Sequence, residues 1–147
     1  MTIIAYRAGC LAADSHVTGS GTITGASVKI ARNRKGDLAG ATGDAVYGYA
    51  FRQWFLKGEK GEAPDAAAPG KPEDSNRGLI VRHNGVIEVF EFRGKHVVEA
   101  KYYAMGSGRD AALGAMFMGA SAVDAVKAAI AHDTGCGGEI LALMHHK

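Results

Sequence analysis

Cysteine, proline and tryptophan are scarce in this 147-residue chain, which holds two, three and one of them. The two cysteines, Cys10 and Cys136, share no CxxC spacing and cannot build a disulfide framework or a four-thiolate zinc site. Both are expected to be free thiols, and the chain to be cytoplasmic. Long apolar runs are missing as well. None reaches the roughly 18 residues that a membrane-spanning helix needs, and no basic segment followed by an apolar run marks a secretory signal. A net charge of +2, with Lys and Arg scattered, leaves no basic footprint for nucleic acid. Neither a membrane nor a nucleic acid is therefore an expected partner. Glycine, by contrast, is plentiful at 21 residues, which favours tight turns and close backbone approach. With 47% hydrophobic and 22% charged residues, the chain has the composition of a soluble globular protein. Its length suits a single domain over residues 1–147.

Residues 2–6 and 10–13 are apolar runs separated by Arg7-Ala8-Gly9, a hairpin pattern. Residues 19–25 are rich in Gly, Thr and Ser and read as a loop. Alternation over 27–33, a turn at Arg34-Lys35-Gly36 and a run over 37–41 predict a second hairpin, with Lys29 inside its first strand. Residues 44–56 have helical spacing, with Val46, Tyr47, Ala50, Phe51 and Trp54 on one side. All three prolines fall in 57–76, a polar loop without periodicity. Further strands are predicted over 78–82 and 86–92, joined by Asn84-Gly85, and over 97–105. Helices follow at 109–118 and 122–132, the second opened by Ser121 as N-cap, and a strand at 140–144 closes the chain. This order predicts a layered α+β domain: two antiparallel sheets face to face, with helices outside.

Thr2 follows Met1. A small second residue favours removal of the initiator methionine, which would leave an α-amine and a hydroxyl on one residue. A hydroxyl is a poor nucleophile at neutral pH without a base in reach. An α-amine, with a reference pKa of roughly 7.7–8.0, has close to the ideal strength for that base. The first hairpin can bring Asp14 near the chain start. Lys29 beside such an amine would lower its pKa by like-charge repulsion, and Asp14 would hold the lysine charged and aimed. Taken singly, Asp14 reads as a turn residue, Lys29 as a solvated strand residue and Gly40 as a strand glycine.

Six segments in register carry more. Thr2-Ile3-Ile4, Ala12-Ala13-Asp14-Ser15, Val28-Lys29-Ile30, Ala39-Gly40-Ala41-Thr42-Gly43-Asp44, Met105-Gly106-Ser107-Gly108 and Asp133-Thr134-Gly135-Cys136-Gly137-Gly138 span both ends of the chain. In this order they resemble the β-type subunits of proteasomes and the bacterial threonine peptidase HslV, members of the N-terminal-nucleophile hydrolases. The resemblance implies a four-layer αββα sandwich of two antiparallel sheets flanked by helices. Its first helical layer is expected to be shortened, because the loop at 57–76 replaces part of it. The resemblance also implies a threonine endopeptidase that needs only removal of Met1 to become active. Thr2 would be nucleophile and base, Asp14 and Lys29 its charged pair, and Gly40 the backbone donor to the oxyanion. Ser107 and Asp133 would support the amine, while Cys136 stands where the family usually carries a serine. Thr18 would pair with substrate backbone. Val17, Ala31, Leu38 and Thr42 would line a pocket for apolar or neutral side chains. No cofactor or metal is implied. The expected partners are a peptide or unfolded protein as substrate and further copies of the chain, a ring among the options, with an ATPase partner left open.

Other readings compete. Gly106-Ser107-Gly108-Arg109-Asp110-Ala111 fits a dinucleotide-binding GxGxxA pattern, but too little chain follows for a mononucleotide-binding half. The six histidines include adjacent His145 and His146, with no HxxxH or HxH spacing for a metal. Met116-Phe117-Met118 reads as core packing. Cys136 near His132 and Asp133 could be a nucleophile, although sequence neighbours rarely form a triad. The main rival is a catalytically inactive, proteasome-like subunit with a structural or assembly role.

Overall fold

The computed structural model describes residues 2–19, 21–67, 76–92 and 94–146. Strands β1 (Ile3–Arg7) and β2 (Cys10–Ala13) form a hairpin whose turn residues Ala8 and Gly9 both have positive φ, 50° and 81°. That is the turn whose twist matches the strands it joins. Two further strands, β10 (Tyr102–Gly106) and β11 (Leu141–Met144), complete a four-stranded antiparallel sheet in the order β10-β1-β2-β11. A second antiparallel sheet runs β5 (Ile30–Arg32), β6 (Leu38–Thr42), β7 (Arg77–Val81), β8 (Ile87–Glu91) and β9 (Gly94–Val98). The turn from β7 to β8 runs through Asn84-Gly85, with Gly85 at φ 92°.

Period-two alternation explains how β1 can be apolar over Ile3, Ile4, Ala5 and Tyr6. Ile4 and Tyr6 meet Ile30, Leu38, Leu79 and Val81 of the second sheet, while Ile3 and Ala5 face the opposite way. That other face is covered by α2 (Arg109–Phe117) and α3 (Ala122–His132), through Ala112, Met116, Val126 and Ala129. Ser121 caps α3 by accepting a hydrogen bond from the Asp124 N–H at 3.1 Å. Helix α1 (Ala45–Leu56) packs Tyr47, Phe51 and Phe55 on Ala39, Ala41, Ile80 and Phe90 of the second sheet. Each fully buried aromatic or branched side chain contributes about 1.5–3 kcal/mol relative to exposure.

The expected four-layer αββα sandwich is corrected. Among the described residues the chain is mostly sheet, with eleven strands in three antiparallel sheets and only three helices. The third sheet is a ribbon of β3 (His16–Gly19) and β4 (Thr22–Ala26), in the stretch read as a loop. Its exposed Thr and Gly residues show no one-sided burial, so no alternation announced it. Lys29 lies just before β5 rather than inside a strand. On α1, Val46 is 83% exposed and the buried stripe is Tyr47, Gly48, Phe51 and Phe55. Much of the loop predicted at 57–76 is fastened: Ala66 is buried under α1, and the Asn76 side chain accepts from the Asp44 N–H at 2.8 Å. Its residues 68–75 lie outside the described ones.

One charge network ties this loop to the second sheet. The Arg82 guanidinium donates to Glu59 at 2.6 and 2.8 Å and to Glu88 at 2.9 Å, and reaches Asp37 at 3.4 Å. Arg82 holds the Glu88 carboxyl below its usual range. Burial alone would raise Asp37, but donors from His83 and Asn33, with the Arg82 charge, outweigh it and lower it. Replacing Arg82 by Met should cost roughly 2–3 kcal/mol, because three carboxylates lose their shared cation. Both carboxyls titrate lower in the fold than unfolded. Their contribution is therefore complete above the ordinary carboxylate range and lost as pH falls through the folded values. Urea melts should find the wild-type advantage at pH 7 shrinking below about pH 4.

Candidate active site

Asp14 follows β2 and is 1% exposed, with its carboxylate facing the start of β1. Oδ1 accepts from the Ile3 N–H at 3.2 Å and from Lys29 Nζ at 2.9 Å, and Oδ2 accepts from the Gly137 N–H at 3.0 Å. The Asp14 N–H returns a bond to the Ile3 carbonyl at 3.2 Å. Lys29 is therefore two hydrogen bonds from the peptide nitrogen that follows Thr2. Its ammonium is 7% exposed as a residue, and Thr2 is 8% exposed.

The other end of Thr2 is held by the turn after β10. Ser107 Oγ and the Gly108 N–H both face the Thr2 carbonyl at 3.5 Å. Gly106 makes this approach possible. Its φ is +107°, and a Cβ there would overlap the Thr2 carbonyl. Ser107 Oγ also lies 3.7 Å from Cys136 Sγ. Asp133 accepts from the Gly135 N–H at 2.8 Å, and this bond, with smaller help from Ser107 and Cys136, lowers its carboxyl. Burial pushes the Cys136 thiol up to about 11, so it stays protonated at neutral pH and is a poor nucleophile.

The structure thus brings Thr2, Asp14, Lys29, Ser107 and Asp133 into one region. Gly40 lies in mid-strand, paired with Ile30 on β5 and Leu79 on β7. A Cβ there would stand 2.8 Å from Ile4 Cδ1 and 3.0 Å from Ile30 Cγ2, so packing between the sheets alone accounts for the glycine.

A cavity of about 200 Å³ opens beside Thr2 and Lys29. Of the predicted substrate residues, Val17 and Thr18 line it. The other three do not. Leu38 is sealed between the sheets, Ala31 packs toward α1, and Thr42 is buried at the end of β6. The walls include instead His16, Ser27, Ala41, Gly48 and Arg52. The expectation of an uncharged pocket is corrected accordingly. Alternation around β5 and β6 could not supply these residues, because the cavity is closed by α1 and by the unforeseen β3–β4 ribbon. Arg52 had one weak signal, a glycine four residues before it inside a helix.

Among the described residues no group of three or more His, Cys, Asp or Glu could hold a metal ion, and no helix is long and apolar enough to cross a membrane.

No family model and no curated protein matches the chain. Solved structures do. Thiobacillus denitrificans BPH in complex with epoxomicin is 19% identical, covers 97% of this chain and 96% of its own, and has a TM-score of 0.66. A second structure of Thiobacillus denitrificans BPH is 20% identical, with 97% and 95% covered and the same TM-score of 0.66. At such identities the likeness is one of fold alone. The assignment to proteasome β-subunits and HslV is corrected on this finding to a likeness in fold to BPH.

Replacing Gly106 by Ala should move Thr2 off its supports. The expected result is a loss of roughly 2–4 kcal/mol in chemical denaturation, from strain at a positive φ and a backbone overlap.

Proposed function

We propose that the chain is a threonine-type hydrolase of peptide bonds, with Thr2 as its first residue after removal of Met1. One observation carries this reading: the buried Lys29–Asp14 pair is fastened to the N–H of Ile3, the residue next to Thr2. Replacing a buried ion pair by well-packed apolar residues is often neutral or stabilising by about 1–4 kcal/mol. Stability alone is a weak reason for a lysine in that place. A cation there favours a neutral amine on Thr2, able to take the hydroxyl proton.

In the proposed reaction the Thr2 oxygen attacks the substrate carbonyl while its proton passes to the Thr2 amine. The resulting ammonium returns that proton to the departing substrate amine, which leaves an ester on Thr2. Water, deprotonated by the same amine, hydrolyses the ester and frees the hydroxyl. The backbone around Gly40, whose neighbour Ala41 lines the cavity, is proposed to donate to the oxyanion. Such a donor is typically worth about 2.7–4 kcal/mol in the barrier. Ser107 and Asp133 are proposed to steady the amine. Two free thiols suit a reducing compartment, and we place the activity in the cytoplasm. Exposed Val46, Tyr49, Phe117 and Met118 favour self-association, which native mass spectrometry reads directly.

The test begins with an intact mass showing that the first residue is Thr2. That sample should cleave fluorogenic peptides, and Thr2→Ala should abolish cleavage with thermal unfolding nearly unchanged. Iodoacetamide at neutral pH should leave turnover intact, since Cys136 stays protonated. Undiminished turnover in Thr2→Ala, or none in the Thr2-terminated protein, defeats the proposal.

A further inference from the structure

We propose that the cavity beside Thr2 receives an acidic side chain, Asp or Glu, with Arg52 as its charged partner. This rests on the reading of Thr2 as nucleophile and names the substrate class for that site. The side chain in question belongs to the residue whose carbonyl Thr2 attacks, because that residue lies nearest the cavity.

Arg52 sits on α1, half-buried, and its guanidinium borders the cavity. Among the described residues it has no hydrogen bond or ion pair, unlike Arg82 or Lys29. Burial draws its pKa below the ordinary arginine value, although so strong a base keeps its charge at neutral pH. A half-buried guanidinium without a counterion keeps donors open to a ligand. A carboxylate is the ligand it fits best, through two parallel hydrogen bonds.

Gly48 supplies the second observation. Glycine inside a helix is less favourable than alanine, and here it occupies a buried, cavity-lining turn. A Cβ at this position would lie 3.2 Å from Arg52 Nη1 and 3.8 Å from the Ala41 Cβ. The missing side chain leaves space over Gly48 for the Arg52 guanidinium, and both residues line the cavity.

Two further charged residues, Lys29 and Asp44, line the cavity. Lys29 adds positive charge, which Asp14 already matches. Asp44 also lines the cavity, but it is engaged in an interaction of its own. Asp44 makes no side-chain cap to α1 either, so the first-turn N–H groups add positive potential at the same mouth.

The experiment has a binding arm and a cleavage arm. In the Thr2→Ala protein, fluorescence polarisation compares labelled peptides that differ only in Glu or Gln at the residue before the cleavage point. Glu should bind about tenfold more tightly, and Arg52→Gln added to Thr2→Ala should shrink that ratio to within twofold. Arg52→Lys should retain part of it, and Arg52→Glu should favour a Lys peptide instead. Equal binding of Glu and Gln peptides, or a ratio that survives Arg52→Gln, overturns the proposal. In the Thr2-terminated protein, the Glu preference should appear in kcat/KM. Absence of cleavage for every peptide would overturn the hydrolase reading alone, because the binding arm still decides the role of Arg52.

Discussion

The structure turns on a single buried carboxylate. Asp14 gathers the start of β1, the residue before β5 and the turn at Gly137 onto two oxygens. Each of these segments is remote from the others in sequence, and none is joined to another by a ladder at that point. Chain ends normally fray because few bonds hold them. Here the residue after Thr2 exchanges two bonds with Asp14, and the Thr2 carbonyl is met from the other side by Ser107 and Gly108.

The same anchoring shapes the space around Thr2. The turn containing Gly137 accepts the N–H groups of Ser15 and His16 at 3.1 Å, which aims the β3–β4 ribbon over one side of the cavity. Helix α1 closes the other side through Gly48 and Arg52. The ribbon wall rests on backbone bonds, whereas the α1 wall rests on aromatic side chains packed against the second sheet. The charge lining the cavity can consequently differ between chains of the same fold without disturbing its core.

Much of the core was legible in the sequence because both faces of β1 are buried and Asn84-Gly85 forces a turn. Helix α3 was legible from Ser121 and its small apolar stripe. The ribbon over His16–Ala26 was not, since its exposed polar residues follow no period. The face expected for helix α1 was right at Tyr47, Phe51 and Trp54 but shifted at its edge, because Val46 is apolar yet 83% exposed while Gly48 is buried. Asp14 could be brought to the chain start from its hairpin alone, whereas Lys29 was expected inside a strand and Ser107 joined them only through the family resemblance. Leu38 and Ala31 came to the pocket through the resemblance alone; in the structure Leu38 packs between the sheets and Ala31 toward α1, on opposite strand faces. Likeness to BPH at 19% identity supports the fold and leaves these assignments to the local geometry.

Asp14 and Lys29 do not weigh equally in the functional reading. A carboxylate at position 14 is explained by structure alone, because it satisfies the N–H groups of Ile3 and Gly137. Leaving either of these unpaired would cost about 1–3 kcal/mol. Lys29 is the residue in excess. It brings a second charge out of water at a cost of several kcal/mol, and an apolar neighbour would have spared that cost. In the proposed function the charge of Lys29 acts on the protonation of a Thr2 amine.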